Sequence, residues 1–203
     1  MCTKDYLYIL YDKGDYILVI LIGGASHTGK TLIAQKLLER YKFPYLSLDH
    51  LKMGLIRGRD NCSFTVNDSD ELIAEELWPI VKGIIMTVIE NQQNLIIEGA
   101  CLLPQNILEL HSYYLKDIIY FYIIFSDKYI KENFESEIIA HRCEIENRKY
   151  NEDRTIEQFI LEHKNLKSLC KINKATYFEI NSNYESEIEQ IYSWLDNRVR
   201  KLI

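Results

Sequence analysis

The segment Gly24-Ala25-Ser26-His27-Thr28-Gly29-Lys30-Thr31 fits G-x-x-x-x-G-K-[ST] at every fixed position. Glycines at those places let successive backbone N–H groups curl toward an anion, and the start of the following helix adds favourable potential. A lysine there reaches the β and γ phosphates of a nucleotide, and the next hydroxyl ligates Mg²⁺. Gly24, Ala25, Ser26, His27, Thr28, Gly29, Lys30 and Thr31 are therefore candidates for holding the phosphates of Mg-ATP. Lys30 is in addition the catalytic cation and Thr31 a metal ligand. His27 occupies a variable loop position and receives no chemistry of its own.

Two carboxylates fall where strands of a parallel sheet should end, the edge that faces ligands in such sheets. Glu98 closes the apolar run Leu95-Ile96-Ile97 and is the second metal candidate, the alternative being a solvated strand end. Asp49 closes the run Pro44–Leu48 and is a catalytic candidate that would orient or deprotonate an attacking hydroxyl. It would also serve as N-cap of a short helix His50–Arg57, a role that catalysis does not exclude. Negative charge spreading over a transferring phosphoryl group calls for cations that arrive when the site closes. Arg142, Arg148 and Arg154 are the lid candidates, with Arg148 assigned the catalytic role; the alternative for each is a solvated helix face. Lys52, Arg57 and Arg59 can bind an anionic group on an acceptor or simply face water. His50, His111, His141 and His163 have no metal-ligand spacing.

These residues need elements to hold them. Tyr6–Tyr11 and Tyr16–Ile22 are β-rich runs separated by Asp12-Lys13-Gly14-Asp15, which predicts a hairpin feeding the central strand. Leu32, Ile33, Leu37 and Leu38 recur at helical spacing after the loop, so the loop joins a buried strand to a helix. Gly58–Asp70 reads as a loop. From Asp70 to Asn91 a helical face runs through Ile73, Leu77, Val81, Ile84 and Val88, with Pro79 expected to kink or reset it. Strands follow at Asn94–Glu98, Ile118–Phe125 and Thr176–Ile180. Lys149–Arg154 reads as the bend of a lid, approximately 142–156, before a helix Thr155–Asn173. Ile188, Ile191, Leu195 and Val199 mark a closing amphipathic helix. Alternating strands and helices predict a five-stranded parallel α/β sheet of the P-loop NTPase type with helices on both faces, a lid, and an added N-terminal hairpin strand.

The whole chain, 1–203, is expected to form one domain, because 203 residues with 47% hydrophobic side chains and three prolines can bury a full core. The net charge of −6, from 24 basic and 30 acidic residues, offers no overall field for nucleic acid or anionic lipid. Five scattered cysteines without a C-x-x-C pair fit a reducing compartment, and neither a signal peptide nor a membrane span is visible. A cytoplasmic protein is the expectation. Guanine-nucleotide signatures D-x-x-G and N-K-x-D do not occur.

Gly23–Thr31, Ser47-Leu48-Asp49 and Leu95–Pro104 together resemble P-loop kinases of the nucleoside-monophosphate-kinase-like group, and within it 2-phosphoglycerate kinase-like proteins. The resemblance implies Lys30 and Thr31 on the nucleotide and its metal, and Asp49 at the phosphoryl acceptor. It also implies transfer of the γ-phosphate from ATP, with Mg²⁺, to a small hydroxyl or phosphate acceptor. Two alternatives are a nucleotide-sensing P-loop ATPase and a kinase acting on a macromolecule. Lys52 stands near where such kinases often carry arginine after the acidic residue, and the N-terminal hairpin is an addition to the group's plan.

Overall fold

A computed structural model of the chain describes residues 16–141 and 153–201. The central strand, β1 (Val19–Gly24), is buried along its whole length, as an uninterrupted apolar run requires when both faces of a sheet are covered. It leads through the glycine loop into α1 (Lys30–Tyr41), then β2 (Tyr45–Ser47), α2 (Leu48–Gly58) and the long α3 (Asp70–Glu90). Next come β3 (Leu95–Glu98), two single turns α4 (Pro104–Ile107) and α5 (Ser112–Leu115), and β4 (Ile118–Phe125). The chain continues through α6 (Asp127–Asn133), a π-helical turn Phe134–Ile139, α7 (Ile156–Ile172), β5 (Tyr177–Ile180) and α8 (Tyr184–Val199).

The five strands are all parallel, in the order β2-β3-β1-β4-β5. Alternation along β1 and the residue before it builds the two cores: Leu18, Ile20 and Ile22 pack with α1, α6 and α8, while Val19 and Leu21 pack with α3 and the far end of α7. Helices therefore cover both faces, as the sequence predicts. The crossover from α1 to α8 is tied by Asp196, whose carboxylate takes hydrogen bonds from Arg40 and, at 2.5 Å, from the Tyr41 hydroxyl.

Three local expectations change. Pro79 lies inside one continuous helix rather than breaking it. The buried seam of that helix continues strictly every fourth residue through Ile85 and Ile89, leaving Ile84 and Val88 half-buried at its edge. Asp49 neither closes β2 nor caps a helix. β2 stops at Ser47, which takes the N-cap position, and Asp49 sits in the first turn of α2. The first arm of the expected hairpin, Tyr6–Tyr11, lies outside the described residues, and Tyr16–Leu18 run into β1 without being part of it. No helix among the described residues is long and apolar enough to cross a membrane.

Candidate active site

The glycine loop sits between the carboxyl end of β1 and the amino end of α1, so the helix dipole and its unpaired N–H groups converge on it. Gly29 has φ 78°, a left-handed conformation that favours glycine, and an added Cβ would collide with the Tyr184 hydroxyl. That hydroxyl, from the first turn of α8, donates to Thr28 O at 3.1 Å and roofs the loop. Thr28 is itself buried, and its side chain donates to Ala25 O at 2.9 Å. His27 also has a positive φ, 59°, and its ring stacks on Phe159 at 5.6 Å between centroids. Lys30 reaches back along the loop, Nζ donating to Ala25 O at 2.8 Å.

Thr31 Oγ1 donates to Glu98 Oε1 at 3.1 Å, bringing together the two metal candidates. Glu98 is only 2% exposed, and burial pushes its carboxyl above the usual range. The Ser47 hydroxyl, the Lys30 charge and the Thr31 hydroxyl oppose that shift, and Asp49 adds to it. Register in the sheet sets Ser47 directly opposite Glu98. The Ser47 hydroxyl lies near enough to favour the ionised carboxylate, yet it is buried without a well-aligned hydrogen bond. Among the described residues no group of three His, Cys, Asp or Glu side chains could hold a metal by itself. Mg²⁺ does not need one, since it is usually bound by one or two protein oxygens together with phosphates and waters. A threonine hydroxyl, a buried carboxylate and an unsatisfied serine hydroxyl at one point fit that ion.

Gly99 lets the start of α2 approach β3: a Cβ there would lie 2.7 Å from Leu48 Cβ. This close approach brings Asp49 to the same edge as Glu98. Asp49 is paired with Lys52 at 2.8 Å, one turn on. Burial works to lower the Lys52 pKa, but the Asp49 charge and hydrogen bond, with help from Asp70, outweigh it and hold the ammonium above its ordinary value. Lys30, Thr31, Asp49 and Glu98 line one cavity of about 750 Å³, whose other walls are the π-turn and the start of α8.

Of the lid arginines, Arg142 and Arg148 lie outside the described residues. Arg154 comes to the loop, its Nη1 donating to Ser26 Oγ at 3.1 Å and to Glu162 Oε2 at 2.7 Å. Arg57 and Arg59 are exposed at the end of α2. Sequence reasoning missed Tyr184, Ser47, Glu162 and His163. The rule that ligands gather at strand carboxyl ends, applied to the end of β5, points to Asn183 and Tyr184. Glu162 and His163 carry no such signal, because a charged or imidazole residue on a helix face usually packs or is solvated. His163 is buried between Phe125 and Phe159, its Nδ1 accepting from Phe125 N at 2.8 Å. Burial pushes its pKa down to about 4.

A parallel sheet in this order, with the glycine loop after its central strand and a carboxylate ending the next strand over, defines a P-loop kinase fold. Solved structures agree. A putative kinase from Chloroflexus aurantiacus J-10-fl matches with a TM-score of 0.56 at 17% identity, over 93% of this chain and 99% of its own. Shikimate kinase from Aquifex aeolicus VF5 matches with a TM-score of 0.52 at 14% identity, over 90% and 98%. Shikimate kinase from Bacteroides thetaiotaomicron gives 0.50 at 14%, over 88% and 98%. At such identities these likenesses speak for the fold alone. The Zeta toxin family model matches residues 11–179, and the chain belongs to the Zeta toxin family. A search of curated proteins finds no match.

Proposed function

We propose that this protein transfers the γ-phosphoryl group of ATP to the hydroxyl, or a phosphate, of a small-molecule acceptor. The observation that carries the proposal is the convergence of Lys30, Thr31, Asp49 and Glu98 on one cavity at the loop's end of the sheet. The likeness to 2-phosphoglycerate kinase-like proteins rests on sequence motifs, and the acceptor is accordingly stated only by class.

In this reading Lys30 gives up the Ala25 carbonyl for phosphate oxygens, and the loop N–H groups hold the remaining charge. Thr31 and Glu98 would hold Mg²⁺, which when bound neutralises phosphate charge. Asp49 accepts the proton of the acceptor hydroxyl as its oxygen bonds to the γ-phosphorus. The bond from that phosphorus to the bridging oxygen breaks, and its electron pair leaves with ADP. Lys52 keeps Asp49 oriented until the acceptor arrives. Tyr184 and His27 close the loop against water.

The test pairs two variants, with affinity for a non-hydrolysable ATP analogue and turnover of ATP measured in each over a panel of small hydroxylated and phosphorylated metabolites. Lys30→Ala should lose more than tenfold in turnover, above about 1.4 kcal/mol of transition-state stabilisation. Asp49→Asn should lose roughly 10²-fold in transfer while analogue affinity stays within a few-fold. Undiminished turnover in Lys30→Ala rejects phosphotransfer at this loop. Undiminished turnover in Asp49→Asn alone, with no acceptor stimulating it, leaves a nucleotide-binding ATPase of the sensor kind.

A further inference from the structure

The third residue of the glycine loop is gripped from outside. Ser26 N donates to Glu162 Oε1 at 2.6 Å, Arg154 Nη1 donates to Glu162 Oε2 at 2.7 Å, and the same Nη1 donates to Ser26 Oγ at 3.1 Å. Loop amide, carboxylate, guanidinium and hydroxyl thus close one ring. Both outer members are themselves fixed. Arg154 lies with its guanidinium carbon 4.4 Å from the centroid of the Phe159 ring, the ring on which His27 also stacks. It directly precedes Thr155, whose capping box with Gln158 sets the direction of α7. Glu162 stands one turn beyond Phe159 on that helix.

We infer that Glu162 is a positioning residue for phosphoryl transfer, holding the Arg154 guanidinium against Ser26 so that a cation is fixed on the glycine loop. This rests on the phosphotransfer reading above. A carboxylate on a loop N–H has one other use, as an internal anion that the nucleotide must displace. The arrangement favours positioning, because the guanidinium that Glu162 holds rests on the loop hydroxyl itself. Each oxygen of the carboxylate also serves a different partner, so that the guanidinium is brought to the loop rather than drawn away from it. The Glu162 charge also reaches Asp70 at the start of α3, which feels Lys52, Lys30 and Asp49 as well. A charge-assisted fork of this kind fixes direction as well as position.

The two uses differ in sign. Glu162→Gln keeps the shape and an oxygen for the Ser26 amide but removes the charge that holds Arg154. Positioning predicts a fall in kcat of tenfold or more, with affinity for a non-hydrolysable ATP analogue within about threefold of wild type. Arg154→Lys should fall comparably, and the double variant should be no worse than the worse single, since both act through one contact. Glu162→Asp, which keeps the charge, should recover part of the loss and serves in place of Glu162→Gln if thermal melting shows the latter misfolded. Tighter analogue binding with unchanged kcat in Glu162→Gln overturns the inference in favour of a displaced anion. Unchanged kcat and affinity, or additive losses in the double variant, overturn it outright. A wild-type chain that binds the analogue but turns over no ATP overturns the phosphotransfer reading and this one with it. An active wild type with an equally active Glu162→Gln overturns only this one.

Discussion

Acid should unfold this protein earlier than its surface carboxylates alone would require, through His163. Its ring is buried, Nδ1 accepts the Phe125 amide, and Nε2 makes no hydrogen bond among the described residues. The ring proton is therefore assigned to Nε2, and a second proton on Nδ1 would have to break the bond to Phe125. Burial lowers the pKa to about 4 from the ordinary 6.5; the Glu162 charge opposes this, while Lys30, Arg154 and His27 add to it. The unfolded chain takes up its proton near 6.5 and the folded chain only near 4. Between those values the unfolded state binds more protons, so stability is complete above 6.5 and is lost as pH falls toward 4. Between pH 7 and pH 5 the loss from this group comes to about 2 kcal/mol. With a urea m-value of about 2 kcal/mol/M, the unfolding midpoint falls by about 1 M. Other groups titrate in the same window, so the comparison is with His163→Asn, whose Oδ1 takes roughly the place of Nδ1 and has no proton to gain. The variant will be less stable at both pH values because it leaves a cavity, but its midpoint should fall about 1 M less than that of wild type between pH 7 and pH 5. Equal falls in the two proteins would refute the reasoning and show that His163 is protonated in the folded state without cost.

Two further outcomes follow from the site's edges. Glu98→Gln retains an oxygen for Thr31 but loses the charge, so turnover should require at least tenfold more Mg²⁺ for half-maximal rate while analogue binding persists; an unshifted Mg²⁺ titration removes Glu98 from the metal site. Gly99→Ala sets a methyl group 2.7 Å from Leu48 Cβ and should destabilise by about 1–3 kcal/mol in urea. Gly83→Ala, with nothing within 4 Å on α3, should leave stability equal or raise it by up to about 1 kcal/mol; equal effects at the two glycines would discount the close approach of α2 to β3.

Much of the architecture was legible because its signals are local. A run such as Val19–Ile22 followed by the glycine loop, or Leu95–Ile97 ended by an acid, announces a buried parallel strand and its ligand edge within a few residues. Asp49 shows where local reading stops. Its place beyond an apolar run gave the correct edge of the sheet, but strand and helix meet at Ser47 and Leu48, a boundary set by the packing of Leu48 against Gly99. Pro79 does not interrupt its helix, since a helix buried along Ile73, Leu77, Val81, Ile85 and Ile89 gains enough from that seam to tolerate one missing hydrogen bond. Glu162 and His163 could not be found from sequence, and Tyr184 only through the general rule about strand carboxyl ends. Glu162 and Tyr184 act on the loop from more than a hundred residues away, His163 packs between Phe125 and Phe159, and nothing in the neighbourhood of Glu162 or His163 marks them.

The roof that Tyr184 lays over Thr28 also fixes when, during synthesis, the nucleotide loop is finished. The loop's own eight residues leave the ribosome early, but the partners that hold its third and fifth residues are separated from them by 136 and 156 positions. Until α7 and the start of α8 have been made, the loop has its glycines and its lysine but neither its clamp nor its cover. An unfinished chain therefore has the signature of a phosphate site without its built form, and the competence to hold a nucleotide arrives late and together with closure of the sheet by β5.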